Sequence, residues 1–99
     1  MSHARPVAVL DRHRTETRDV STRYDLYNPC LFGSFARGEA NPSSDIDILA
    51  EPGLGVSLFD LAGAEIELSD LLGRDVQITT TNRTASPFLQ RIAPDLRPL

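Results

Sequence analysis

Residues 45–50, DIDILA, alternate acidic and apolar side chains and then become fully apolar. Because successive side chains of a β-strand point to opposite faces, this pattern predicts a strand with Ile46 and Ile48 on one face. Asp45 and Asp47 then lie on the other face. The chain must therefore contain a sheet strand with one apolar face and one face that carries two carboxylates.

The longest helical stretch begins after Ser57 and ends at Gly73. Ser57 with Asp60 three residues later is a variant of the capping box, and glycine frequently stops a helix. Leucines at helical spacing mark the side that we expect to be buried: Leu58, Leu61, Leu68, Leu71 and Leu72. Residues 75–79, DVQIT, alternate again and predict a strand directly after this helix.

The remaining segments predict shorter elements. We expect a helix over residues 5–19, a strand that ends at 30–32 within a stretch broken by Asn28-Pro29, and a helical turn over 35–38. Ser86-Pro87 can open a last short helix, which Pro94 ends. The order α-β-α-β-α-β-α predicts a small α/β (α+β) fold with a three-stranded mixed sheet and helices packed mainly on one face.

Length and charge restrict the function. The 99 residues suit a single domain over 1–99, with flexible termini at about 1–4 and 94–99. The net charge of −4 argues against direct binding of nucleic acid, and the absence of lysine excludes a P-loop. The one cysteine, Cys30, cannot form an internal disulfide. The apolar run at 7–10 is too short for a signal peptide or a membrane span, so we expect a cytoplasmic protein.

The segment with the clearest chemistry is residues 33–47, GSFARGEANPSSDID. Gly33 and Ser34 lie between a strand and a helical turn, where exposed N–H groups can hold an anion and glycine lets a phosphate approach the backbone. Asp45 and Asp47 repel each other, and a bound cation removes that cost. Oxygen-only ligands favour Mg²⁺ or Mn²⁺. One segment thus predicts both a phosphate cradle and a metal site.

The stretch LFGSFARGEANPSSDIDILAE resembles the signature of the minimal nucleotidyltransferases, within the DNA polymerase β-like superfamily. The resemblance continues through SLFDLAGAEIELSDLLGRDVQITT and covers about residues 31–80. It implies transfer of a nucleoside monophosphate, commonly AMP from ATP, to an acceptor hydroxyl. Gly33 and Ser34 would hold the triphosphate, and Asp45 and Asp47 would be the catalytic and metal-binding acids.

The resemblance also implies a partner. Such proteins often occur with a HEPN-domain toxin, a small helical ribonuclease, and act as its antitoxin, in some cases by adenylylating it. The sequence leaves open whether the chain forms a hetero-oligomer or a homodimer.

The chain departs from the family pattern at one position. Family members usually place a third carboxylate in the last strand, in a pattern like GRxVDLV, and alignment on Gly73-Arg74 puts Gln77 there. Asp75 lies two residues earlier, about 6.6 Å along the strand, and would need a register slip of two to replace it. We therefore carry two hypotheses: an active transferase, and a catalytically degenerate antitoxin that neutralises its partner by binding alone.

Four residues of the motif have a second interpretation. The two aspartates could be solvated surface acids, and Ser34 could be a helix N-cap as well as a phosphate ligand. Arg37 could contact phosphate or pair with Glu39.

Overall fold

The computed structural model describes residues 12–33, 36, 38, 45–83 and 85–99. Within these residues lie three helices, α1 (Arg14–Arg23), α2 (Leu58–Leu72) and α3 (Ser86–Ile92), and four strands, β1 (Leu26–Phe32), β2 (Ile46–Pro52), β3 (Val76–Thr80) and β4 (Arg97–Pro98). Single 3₁₀ turns follow β3 and α3 at Thr81–Arg83 and Ala93–Asp95. Ser34, Arg37 and the expected turn over 35–38 lie wholly or largely outside the described residues, as do residues 5–11 of the expected first helix.

The strands form one mixed sheet in the order β3-β2-β1-β4. β1 is antiparallel to β2 and to β4, whereas β2 and β3 are parallel. The expected α+β fold is confirmed, but the number of strands was wrong, because β4 is a fourth.

β4 is the strand that the sequence analysis missed when it assigned residues 94–99 to a flexible terminus. Its two residues pair with Cys30 and Leu31 of β1. Leu99 follows, 7% exposed, and its N–H donates to the carbonyl of Pro29 at 2.9 Å. Two residues with one proline carry no alternating pattern, so only the pairing reveals the strand.

The two long helices cover one face of the sheet. α1 and α2 contact each other, and they also contact β1 and β3 respectively. Apolar side chains from both layers form this core, and burying each leucine, isoleucine or valine among them contributes roughly 1.5–3 kcal/mol. They are Val20, Leu26, Leu31, Ala36, Ile46, Ile48, Ala50, Leu61, Ala64, Leu68, Leu72, Val76 and Leu99. Ile46 and Ile48 thus face the helices, as the alternation predicts.

The other face of the sheet carries a shorter element. Phe32 is paired with Asp47 across β1 and β2, and the ring of Phe88 in α3 meets Phe32 edge to face at 5.8 Å. α3 therefore packs on the side that carries Asp47, opposite α1 and α2. The expectation that helices lie mainly on one face holds for the two long ones.

The ends of α2 follow the sequence signals. The Ser57 hydroxyl accepts a hydrogen bond from the Asp60 N–H at 3.2 Å, and the Asp60 carboxylate accepts one from the Ser57 N–H at 2.8 Å. Gly73 ends the helix with φ +69°. The prediction that Leu58 is buried was wrong: it is 62% exposed. At 100° per residue it lies outside the arc that the buried leucines span.

Other boundaries shift by a few residues. α1 runs past the predicted end at residue 19 because Val20 and Ser21 are buried, and the Ser21 hydroxyl donates to the Thr17 carbonyl at 2.9 Å. β1 has the break expected at Asn28-Pro29, where Asn28 has φ +50° and the register shifts. Among the described residues no helix is both long and apolar enough to cross a membrane.

Candidate functional site

The site is centred on the carboxylate of Asp47, in the second position of β2. Register pairs Asp47 with Phe32, the last residue of β1, so Gly33 follows directly beside it. A Cβ placed on Gly33 would lie 2.7 Å from Asp47 Oδ2, and Gly33 has φ +74°. Only glycine fits this left-handed backbone without strain and without a clash. The structure therefore brings together Gly33 and Asp47, two of the residues that the motif singled out.

The electrostatics of Asp47 favour a cation. Its side chain is half-buried, and burial raises the pKa of its carboxyl, with the charge of Asp45 as the second cause. Asp45 is exposed and immediately precedes β2. Within the described part of the chain, neither carboxylate has a hydrogen bond or an ion pair. Two carboxylates two positions apart, with no basic partner among the described residues, are suited to a hard divalent ion such as Mg²⁺ or Mn²⁺.

Gln77 lies next to Asp47 in the sheet. The parallel register of β2 and β3 pairs Asp47 with Gln77, Ile46 with Val76 and Ile48 with Ile78. Side chains that are paired in this way share one face, so the Gln77 amide stands beside the Asp47 carboxylate. Alignment on Gly73-Arg74 predicts the third acid of the family pattern at this position.

Asp75 does not take that place. It precedes β3, and its carbonyl accepts a hydrogen bond from the Ile46 N–H at 2.9 Å, which fixes the register without a slip. The alternative in which Asp75 replaces the third carboxylate is therefore wrong. Among the described residues no three acidic, histidine or cysteine side chains are grouped to hold a metal. The described site consists of two carboxylates and an amide.

The sequence analysis missed two residues on this side of the sheet. Phe88 packs on Phe32, the residue paired with Asp47, and the Arg91 guanidinium lies 5.6 Å from the centre of the Phe88 ring. An aromatic ring thus packs on the face of the sheet that carries Asp47, and a cation lies over that ring. A helix 40 residues downstream of the motif carries no pattern that links it to Asp47, so the sequence gives no signal for this neighbourhood. Ser34 and Arg37 lie outside the described residues.

Comparison with known proteins places this geometry in context. Residues 11–99 match the family model described as "Nucleotidyltransferase domain". Two similar proteins of Methanocaldococcus jannaschii are both named "Putative protein adenylyltransferase". One is 50% identical over 60 residues, which are 61% of this chain and 64% of that protein. The other is 35% identical over 83 residues, 84% of this chain and 82% of that protein. The chain therefore spans less than two thirds of the first relative.

Solved structures share the fold. One described as "Structure of putative minimal nucleotidyltransferase" superimposes over the whole of both chains with a TM-score of 0.86 and 30% identity. A structure of a tri-AMPylated Shewanella oneidensis HEPN toxin in complex with MNT antitoxin superimposes with a TM-score of 0.69. The sequences are 16% identical, and the match covers 89% of this chain and 69% of that one. A toxin–antitoxin crystal structure with AMP-PNP superimposes with a TM-score of 0.71. The sequences are 20% identical, and the match covers 81% of this chain and 66% of that one. At these identities the last two show the fold alone.

Proposed function

The chain belongs to the nucleotidyltransferase-domain family, and from that premise we propose that it transfers AMP from ATP to a hydroxyl of a partner protein. The observation that carries the proposal is the packing of Gly33 against the half-buried Asp47 carboxylate, with Asp45 two residues away. The names of the two M. jannaschii relatives support adenylylation of a protein.

Asp45 and Asp47 are the residues that would hold a divalent cation, Mg²⁺ or Mn²⁺. When bound, the cation supplies positive charge against the phosphates of the nucleotide. Gly33 brings the backbone at the end of β1 against the Asp47 carboxylate, and Gly33, Ser34 and Arg37 are proposed as the nucleotide ligands. Since the chain has no lysine, arginine is the cation available for the triphosphate.

Gln77 determines how fast the transfer can be. In the reaction the acceptor oxygen forms a bond to the α-phosphorus, the bond to pyrophosphate breaks, and the hydroxyl proton leaves. A carboxylate at position 77 could accept that proton, whereas the amide of Gln77 cannot, and the proton passes to water. Nucleotide binding through Asp45 and Asp47 is then retained while transfer is slow.

A HEPN-type toxin is the partner that we propose, with the chain as its antitoxin. Among the structural neighbours, one contains a tri-AMPylated toxin together with its antitoxin. The second candidate function is an antitoxin that neutralises the toxin by binding without modification. The position of Gln77 beside Asp47 favours it.

Label transfer separates the two functions. The full chain, ATP labelled at the α-phosphate, Mg²⁺ and the candidate toxin are mixed, and label on the toxin is measured. We expect slow transfer that Asp47→Asn abolishes and Gln77→Asp accelerates by about 100-fold or more, the usual contribution of a positioned base. Asp75→Asn is the matched control, because it removes an exposed carboxylate from the same edge without touching the Asp47 position.

Either of two results decides against the transferase. A tight complex that carries no label and that survives Asp47→Asn supports the binding function instead. Fast transfer by the unchanged chain that Gln77→Asp does not improve would contradict the role given to position 77.

A further inference from the structure

The outer face of α2, defined by Phe59, Ala62 and Ile66, is an exposed apolar row. Phe59 is 89% exposed and Ile66 64% exposed, and Ala62 between them is exposed as well. At 100° per residue these three positions lie roughly opposite the buried Leu68. A helix that is apolar on both sides is ordinarily covered on both sides. Single exposed apolar residues are common, but a row along one helix indicates a binding surface.

An acidic groove adjoins this row. It lies between α1 and α2, has a volume of ≈ 500 Å³, and has Val20 and Leu71 among its lining residues. Its charged residues are Glu16, Asp19, Arg23, Glu67 and Asp70. Asp70 is exposed and lies one turn beyond Ile66 on α2, so the acidic groove begins where the apolar row ends.

The charges of the groove do not cancel. Arg23 is engaged by Glu67 at 2.8 Å, and Glu67 also accepts a hydrogen bond from the Tyr24 hydroxyl at 2.7 Å. Within the described part of the chain, Asp19 and Asp70 have no hydrogen bond or ion pair. The groove is therefore a negative surface beside an apolar one.

We propose that the outer face of α2 and the acidic groove together bind an amphipathic helix of a partner protein, with apolar side chains on one face and arginine or lysine along its border. Charge selects this occupant. A second copy of the chain would bring the same acids and a net charge of −4 against −4, and these repel. Nucleic acid would meet the same repulsion.

This surface is remote from the nucleotide site. α1 and α2 cover the face of the sheet that carries Ile46 and Ile48, whereas Asp47 points to the opposite face. A helix bound to α2 therefore leaves the Asp47 site open. The inference goes beyond the proposed transfer reaction, since the chain can hold a partner here whether or not it modifies it.

The test uses the full chain and two fluorescent 18-residue peptides that form amphipathic helices with the same leucine face. One carries lysine and arginine on its border and the other carries glutamate. Fluorescence anisotropy measures binding. We expect the basic peptide to bind, the acidic peptide to bind at least about tenfold more weakly, and added salt to weaken the basic peptide. Phe59→Ser and Ile66→Ser should each weaken binding by about tenfold or more, and Asp70→Asn by about two- to fivefold.

The matched control is Leu54→Ser. Leu54 is fully exposed, at 102%, but lies in the loop before α2. Leu54→Ser should leave peptide binding unchanged. All four variants should keep the far-UV circular dichroism and the ATP-analogue binding of the parent chain, because none of the four replaced side chains is buried.

Several outcomes would overturn the proposal. Equal binding of the two peptides, or an equal loss in Leu54→Ser, shows non-specific apolar adhesion. A dimer in light scattering that Phe59→Ser dissociates assigns the surface to a second copy. Absence of binding by the basic peptide at millimolar concentration also rules the proposal out.

Discussion

Replacement of Gly33 by alanine tests the central contact of the site. Gly33 has φ +74°, and its added Cβ would stand 2.7 Å from Asp47 Oδ2. The left-handed backbone costs a non-glycine residue about 1–2 kcal/mol. The clash is relieved when the Asp47 carboxylate rotates away from its preferred rotamer, at a further cost of about 0.5–1.5 kcal/mol. The free energy of unfolding should therefore fall by about 1.5–3.5 kcal/mol.

Gly73→Ala is the matched control. Gly73 has nearly the same backbone, φ +69°, but nothing lies within 4 Å of its added Cβ. It should lose only the backbone contribution of about 1–2 kcal/mol. Urea unfolding followed by circular dichroism measures both variants, and the difference between them isolates the contact with Asp47.

A double-mutant cycle tests whether the extra destabilisation of Gly33→Ala over Gly73→Ala comes from the Asp47 carboxylate. In an Asp47→Ala background Oδ2 is absent, and the remaining Asp47 Cβ lies at 3.7 Å, an ordinary contact. Gly33→Ala should then cost no more than Gly73→Ala. If the excess persists without the carboxylate, or if the two glycine variants are equally destabilised from the start, the packing of Gly33 on Asp47 is not what requires glycine there.

Four further variants test the frame around the site. Leu68→Ala should cost about 2–5 kcal/mol in urea unfolding because Leu68 is wholly buried, whereas Ile66→Ala on the exposed side should cost under about 1 kcal/mol; equal losses would contradict the assigned faces. Ser57→Ala should cost about 1 kcal/mol through loss of the α2 cap, and an unchanged urea midpoint would contradict the capping box. The hydrogen bond from Tyr24 holds the pKa of Glu67 below its ordinary value of 4.5, so its stabilisation is present above that value and is lost as pH falls through the lowered pKa. Thermal unfolding between pH 6 and 3 should show a smaller loss in Glu67→Gln than in the parent chain, and parallel profiles would refute the linkage.

The site was largely predictable because its geometry follows from local rules. Strand alternation separates Asp47 from Ile46 and Ile48, and a two-residue side-chain period leaves no other arrangement once one face is buried. Alignment on Gly73-Arg74 assigns Gln77 to the third-acid position of the family pattern. The parallel register pairs Gln77 with Asp47, and the role of position 77 stays a prediction. Ser34 and Arg37 lie outside the described residues, so their roles stay predictions.

What the sequence did not reveal depends on contacts between distant segments. β4 pairs with β1 at Cys30 and Leu31, where the edge of β1 is open. The sequences of the two strands contain no pattern that predicts this pairing. Phe88 comes beside Phe32 only through the path of the chain after β3. The exposed row on α2 was hidden for a related reason: a leucine pattern predicts a buried face, but it does not say what covers the opposite face.

The two faces of the sheet make the consequence of Gln77 specific. When both are ionised, Asp45 and Asp47 carry two negative charges, which one divalent cation would neutralise. A third carboxylate at position 77 would add a negative charge that a second cation could balance. In the proposed reaction, an amide beside Asp47 would therefore weaken the binding of a second ion and would supply no proton acceptor, while Gly33 and both aspartates stay in place. Since the outer face of α2 lies on the other side of the sheet, none of these changes affects it. Glutamine instead of a carboxylate at position 77 should thus lower the rate of AMP transfer without weakening partner binding. An antitoxin that neutralises its partner by binding alone requires this combination.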